Sequence, residues 1–167
     1  MRKIFYLLLI FVVIFGLVVW VYVNYEDDIY NYLAKDQIYI IYIESAPLYV
    51  TVADDPEEQR IGLAGVKSLA ESSGKLFIFE KEDYYGMWMK DMLFSIDIIW
   101  IDNDFKIVDI AENVTPETYP DTFASAVPAR FVLETNAFFA KNSNVTVGDE
   151  VDFAARLIPR DLSQLLR

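Results

Sequence analysis

The residues that invite a chemical reading are acids and bases set among apolar neighbours. Asp97 lies in the run Ser95-Ile96-Asp97-Ile98-Ile99-Trp100-Ile101, and strand periodicity puts it on the same face as Ile99 and Ile101. A carboxylate on an apolar face needs partners, because burying it unpaired is costly. Lys90, Arg60 or Arg130 could supply the opposite charge. Such an acid more commonly ties a strand to a loop; the alternative is that it waits for a ligand. Arg130, Val132 and Glu134 share one face of a second strand. An ion ladder with a neighbouring strand is the commoner outcome of that spacing, and a ligand-binding pair is the other. Trp88 stands beside Tyr84, Tyr85 and Lys90 in a polar stretch. Aromatic faces next to hydrogen-bonding groups suit a cleft for sugars or other small molecules, although aromatics at alternate positions more often fill a core. The candidate ligand-binding set is therefore Trp88, Lys90, Asp97, Arg130 and Glu134.

Other chemistries are excluded by composition. The 167-residue chain has no His and no Cys. It thus lacks the usual base of a Ser or Cys triad, the commonest zinc ligands, and any disulfide. Asp55-Pro56-Glu57-Glu58 is explained as a helix start, with Asp55 as N-cap, Pro56 in the first helical position and Glu58 reaching back. Asp102-Asn103-Asp104 lacks the alternating ligands and distal acid of a calcium loop and reads as a turn. No metal and no cofactor are expected. Asn144-Val145-Thr146 matches a glycosylation acceptor pattern. The net charge is −12, which repels nucleic acid, and none is expected as a partner.

The elements that must position these residues are mostly short strands. Ile38–Ile43, Leu48–Ala53, Lys75–Phe79, Ser95–Ile101, Phe105–Ile110 and Arg130–Glu134 are rich in β-branched and aromatic residues. Glu80–Tyr85 reads as a loop, and Gly86–Lys90 resumes extended structure. Asp102-Asn103-Asp104 makes a hairpin turn, and Asn113–Ala126, with Pro116 and Pro120, an irregular excursion. One short helix follows Asp55 and ends at Gly62 and Gly65. A second runs to Lys141, capped by Thr135 or Asn136. Gly148-Asp149 turns into a last strand, Glu150–Leu157. The expected fold is α+β, mainly β: a small curled or barrel-like sheet with two short helices.

A transmembrane helix precedes this domain in the same reading. Ile4–Val23 contains no charge, and at about 1.5 Å per residue it spans roughly 30 Å, a bilayer's hydrocarbon core. Arg2 and Lys3 precede it and Glu26, Asp27 and Asp28 follow it, which leaves the N-terminus cytoplasmic. A cleaved signal would have a shorter apolar run and a small-residue cleavage site, and Val21–Tyr25 offers none. The organisation is thus a cytoplasmic tip (1–3), an anchor (4–23), a stalk (24–37), an extracytoplasmic domain (38–158) and a tail (159–167). Arg2 and Lys3 are the only charges before residue 24, so the remainder carries −14.

Several segments together resemble the domain of unknown function 192 family (uncharacterised protein family 0127). They are Val50–Leu63, Leu76–Phe79, Trp88-Met89-Lys90, Asp97–Asp102, Pro128–Glu134, Asn136-Ala137 and Val147-Gly148-Asp149. The resemblance implies a compact β-rich fold, commonly behind an export signal or anchor, and no known reaction. This chain departs from the family pattern at Ala64 and Lys75 (methionine), Val66 (arginine), Asp91-Met92 (Asn-Thr), Ser95 (proline) and Phe138 (glycine). A Ser95–Lys90 nucleophile is disfavoured, since the family carries proline at the first position. Two functions follow as expectations. The first is a membrane-tethered binding or accessory module of the cell envelope, its partner a small molecule, a carbohydrate or an envelope protein. The second is a carboxylate-based hydrolase of envelope or exogenous carbohydrate, with Asp97 and Glu134 as acid and base about 5–9 Å apart.

Overall fold

The computed structural model describes Tyr6, residues 10–20 and residues 38–153. It divides into two compact units, Met1–Gln37 and Ile38–Arg167. In the first, Tyr6 and residues 10–20 are helical with exposed side chains. Among the described residues no helix is both long and apolar enough to cross a membrane. The rest of the expected anchor, the stalk at 24–37 and the tail lie outside the described residues.

The second unit is a sheet of short strands. In chain order it contains β1 (Tyr39–Ile43), β2 (Ala46–Ala53), α1 (Pro56–Ile61), β3 (Ser73–Asp83), β4 (Met87–Trp88), β5 (Ile96–Ile101) and β6 (Ile107–Val114). A 3-10 turn (Pro116–Thr118), β7 (Thr122–Phe123), β8 (Ala129–Asn136), α2 (Phe139–Asn142) and β9 (Val151–Phe153) follow. Seven strands form one sheet in the order β6-β5-β8-β3-β2-β1-β9, and β4 pairs with β7 in a separate ribbon. Only β2 and β3, joined through α1, run parallel; the other described pairs are antiparallel. The two ends of the strand order meet. Ile107 donates to the Asp149 carbonyl at 2.9 Å and Val151 to that of Phe105 at 2.8 Å, so the sheet curls into the expected mainly β, barrel-like form.

Curling makes two cores. One face carries Ile41, Ile43, Leu48, Val50, Leu76, Ile99, Ile101, Phe131 and Leu133, packed with Ala140 of α2. The opposite face carries Phe77, Ile98, Trp100 and Val132, covered by Leu63 and by Met87, Met89 and Met92. The middle strands are therefore buried on both sides. Every residue of β5 is buried, as is Ala129–Thr135 of β8, which explains why both read as nearly continuous apolar runs. An ionisable side chain on either strand is dry whichever face it takes.

Local sequence accounts for the edges. The N-cap of α1 is Asp55, whose side chain accepts from the Glu58 amide at 2.8 Å, and its C-cap is Gly62 at φ 55°. The Asp102 side chain accepts from the amides of Asp104 (2.9 Å) and Lys106 (2.8 Å), building the β5–β6 turn. Three expectations need correction. Strand β3 runs on to Asp83 through the expected loop, and β6 runs to Val114, past the expected Ile110. The second helix starts later than expected: it follows Phe138 at φ 66°, with no cap from Thr135 or Asn136. Its free amides are satisfied from a distant strand, as described next.

Candidate ligand-binding site

Asp97 and Glu134 sit on neighbouring strands with opposite fates. Cross-strand partners share a face, and β5 pairs Asp97 with Thr135 and Ile98 with Glu134. The two carboxylates therefore point to opposite sides of the sheet. Asp97 is fully buried on the α2 side. Its Oδ1 accepts from the amides of Asn113 (2.8 Å) and Phe138 (3.0 Å), and its Oδ2 from that of Ala140 (3.0 Å). The expected cation is replaced by three backbone donors. Asp97 caps α2 and pins the bend of β6, which is the structural use of the acid, with no access to a ligand. An acid–base pair of Asp97 with Glu134 loses its basis, because a sheet stands between them.

Arg130 is likewise committed elsewhere. It is buried four residues along β8 from Glu134, about 13 Å away in extended chain. Its Nε donates to the Phe79 carbonyl at 3.3 Å and its Nη1 to the Asn103 side-chain oxygen at 3.0 Å. The guanidinium also lies 5.5 Å from the Phe131 ring centre. It clamps the end of β3 to the β5–β6 turn and does not pair with Glu134.

Glu134, Trp88 and Lys90, in contrast, line one pocket, together with Gln59, Gly62 and Met92 among others. The capping sequence of α1 builds one wall. Gly62 donates to the Glu58 carbonyl at 2.8 Å with a left-handed φ, and a Cβ there would lie 3.2 Å from the Phe77 ring and 3.9 Å from Glu134 Oε2. The lack of a side chain thus keeps this wall of the pocket clear beside the buried acid. Gln59 donates to the Ile78 carbonyl at 2.8 Å, anchoring α1 over the stretch where the β3–β8 register shifts. The other wall is the β4 segment. Gly65 donates to the Asp91 carbonyl at 2.9 Å, holding the turn that carries Lys90 against the end of α1. Trp100 Nε1 donates to the Tyr85 carbonyl at 3.1 Å. Trp88 is about half exposed, edge-on to Tyr119 at 6.3 Å, with the Lys90 ammonium 5.8 Å from its ring centre.

The floor is electrostatically unusual. Glu134 is 4% exposed, and among the described residues its Oε2 has no hydrogen-bond partner. Loss of water pushes its carboxyl up to about 8 from an ordinary 4.5, opposed only in part by the charge of Lys75, its cross-strand partner on β3. No described ion pair joins the two. At neutral pH the group is mostly a neutral acid. The cavity measures about 50 Å³, room for a few water-sized groups. Among the described residues no three His, Cys, Asp or Glu side chains gather as a metal site would require. Sequence reasoning missed Gln59, Gly62 and Met92 as pocket walls. The only signal for Gly62 was its place as helix stop.

A family model described as "Uncharacterized ACR", DUF192, matches residues 40–153. The chain belongs to the DUF192 family. A crystal structure of a proposed transcription regulator from Sinorhizobium meliloti 1021 is 31% identical with a TM-score of 0.65, covering 70% of this chain and 92% of that one. A crystal structure of a protein of unknown function from Novosphingobium aromaticivorans DSM 12444 is 26% identical with a TM-score of 0.66, covering 70% and 85%. No curated protein matches. Seen as a DUF192 domain, the chain makes physical sense of one departure from the pattern above. At Phe138, where the resemblance implies glycine, φ is 66°, a conformation that costs a residue with a Cβ about 1–2 kcal/mol.

Proposed function

We propose that this DUF192 protein is a membrane-anchored, extracytoplasmic binding module, and that its ligand enters the pocket over Glu134. One observation carries the binding reading: a nearly inaccessible carboxyl oxygen without a donor at the base of an open cavity. Buried polar atoms are nearly always satisfied, so an orphan that faces a cavity calls for an external hydrogen-bond partner. Catalysis is less well supported. The acid has no second carboxylate on its side among the pocket residues, and the Lys90 and Arg60 cations are engaged with Trp88 and Glu57.

The anchor rests on the uncharged run Ile4–Val23 and on the charges that flank it. The description of the Sinorhizobium structure points instead to gene regulation. Against direct DNA binding stands a net charge of −12, since neutralising phosphates requires an excess of Lys and Arg. A thermal-shift screen of the purified full chain against sugars, wall fragments, amines and small acids tests the reading, because a ligand that binds only the folded state raises the melting temperature. Shifts that vanish in Glu134→Gln support it. A screen in which every shift persists in that variant refutes the pocket.

A further inference from the structure

The pocket's dimensions and charges narrow the ligand, given that the pocket binds one. A cavity of about 50 Å³ is too small for a sugar ring and admits a single head group. At its floor is a carboxyl oxygen with no hydrogen-bond partner, and no cation of the described residues forms an ion pair with it. At its mouth is a half-exposed indole whose face already attracts one ammonium, that of Lys90 at 5.8 Å. The protein as a whole is strongly acidic, which concentrates cations at its surface.

We infer that the pocket recognises a primary ammonium group at the end of a larger molecule, with Glu134 accepting its N–H bonds and Trp88 covering its methylene neighbours. The inference rests on the binding reading above. The groups facing Glu134 are few. Among the described residues, Lys75 pairs with it from β3, Arg60 belongs to α1, and Lys90 comes from the segment after β4; Asp97 is on the far side of the sheet. Arg60 is neutralised by Glu57 through contacts of 2.9 and 2.7 Å, so Lys90, over Trp88 at the mouth, is the cation that competes with and repels an entering ammonium. Ion pairing needs the ionised acid. With the carboxyl at about 8, its ionised fraction rises roughly tenfold between pH 7 and 9, whereas an alkylammonium remains charged.

The experiment titrates the full chain, in neutral detergent, with methylammonium chloride, sodium acetate or acetamide at constant ionic strength. Binding is read from the NMR shift of the Trp88 indole N–H. Methylammonium should bind about tenfold more tightly at pH 9 than at pH 7 and lose that pH dependence in Glu134→Gln. Lys90→Gln, a surface change that leaves the fold intact, should tighten methylammonium binding by removing the competing ammonium. Acetate or acetamide binding that depends on Glu134, with methylammonium inert, overturns the ammonium assignment and spares the pocket. Weakened methylammonium binding in Lys90→Gln also overturns it. If no probe moves the Trp88 signal in either variant or the parent, both the assignment and the binding reading fail.

Discussion

Glu134→Gln separates the cost of a buried charge from the cost of a buried shape. The amide has nearly the same outline as the carboxylic acid and never ionises. In the folded protein the Glu134 carboxyl is pushed up to about 8, against an ordinary value of 4.5. The cause is burial, which strips water from the anion, and Lys75 offsets only part of it. Because the folded value is raised, the stability tied to the protonated acid is fully present below about pH 4.5. It is lost progressively as pH rises, and the loss levels off above about 8. Each pH unit in that window costs about 1.4 kcal/mol, so the whole interval amounts to about 5 kcal/mol. Glutamine brings its own amide hydrogens into the site, but that contribution does not vary with pH.

The expected result is a widening gap. Relative to their difference at pH 5, the variant gains about 2.5 kcal/mol on the parent by pH 7 and about 4 kcal/mol by pH 9. That gain is large against a domain's usual total of about 5–15 kcal/mol. Urea unfolding at each pH measures it through the midpoint, and the slope should be shared, since the surface exposed on unfolding is unchanged. A difference that stays flat between pH 5 and 9 refutes the reasoning. It would mean that Glu134 either ionises freely in the fold or finds a cation there.

Asp97→Asn should lower the melting temperature clearly. The replacement directs an N–H group at one of three amide donors and removes the charge, a loss of about 3 kcal/mol by unfolding; an unchanged melt would show the three contacts to be dispensable. Phe138→Gly should stabilise by about 1 kcal/mol, because it relieves a left-handed backbone at an exposed position while keeping the amide that donates to Asp97; a destabilised variant would show that the phenyl ring contributes more than the strain. Gly62→Ala should destabilise by about 1–2 kcal/mol and reduce binding in the pocket, since the methyl group meets Phe77 at φ 55°. A reporter active only outside the cytoplasm, fused after Arg167, should give signal in the membrane fraction; signal in a soluble fraction would mean a cleaved leader, and none would mean the opposite orientation.

Much of the sheet could be read from the chain because burial on two faces leaves a plain record. The isoleucines and Trp100 of β5 announce a central strand, and Asp55-Pro56 announces α1 through chemistry confined to four residues. Short-range rules failed where the partner is remote in sequence. Nothing near Phe138 marks the start of α2, because its amides are met by Asp97, 41 residues earlier. The strand β3 outran its apolar segment because Asp83 pairs with Ala129, a tertiary contact that overrides the polar character of Glu80–Asp83.

The same distinction decides the two acids. Both are buried residues of interior strands, and pattern alone made them partners. Sheet pairing sets them apart by one residue of register, since Glu134 pairs with Ile98 and Asp97 with Thr135. A period of two then places one acid under α2 and the other beneath the Gly62 turn. On the first side the amides of Phe138 and Ala140 are fixed by the start of a helix and, with that of Asn113, give both carboxylate oxygens a donor. On the second side the backbone at Gly62 turns its amide back to Glu58 and offers none to the acid. The fold thus provides for Asp97 from within and leaves Glu134 Oε2 dependent on whatever the cavity admits.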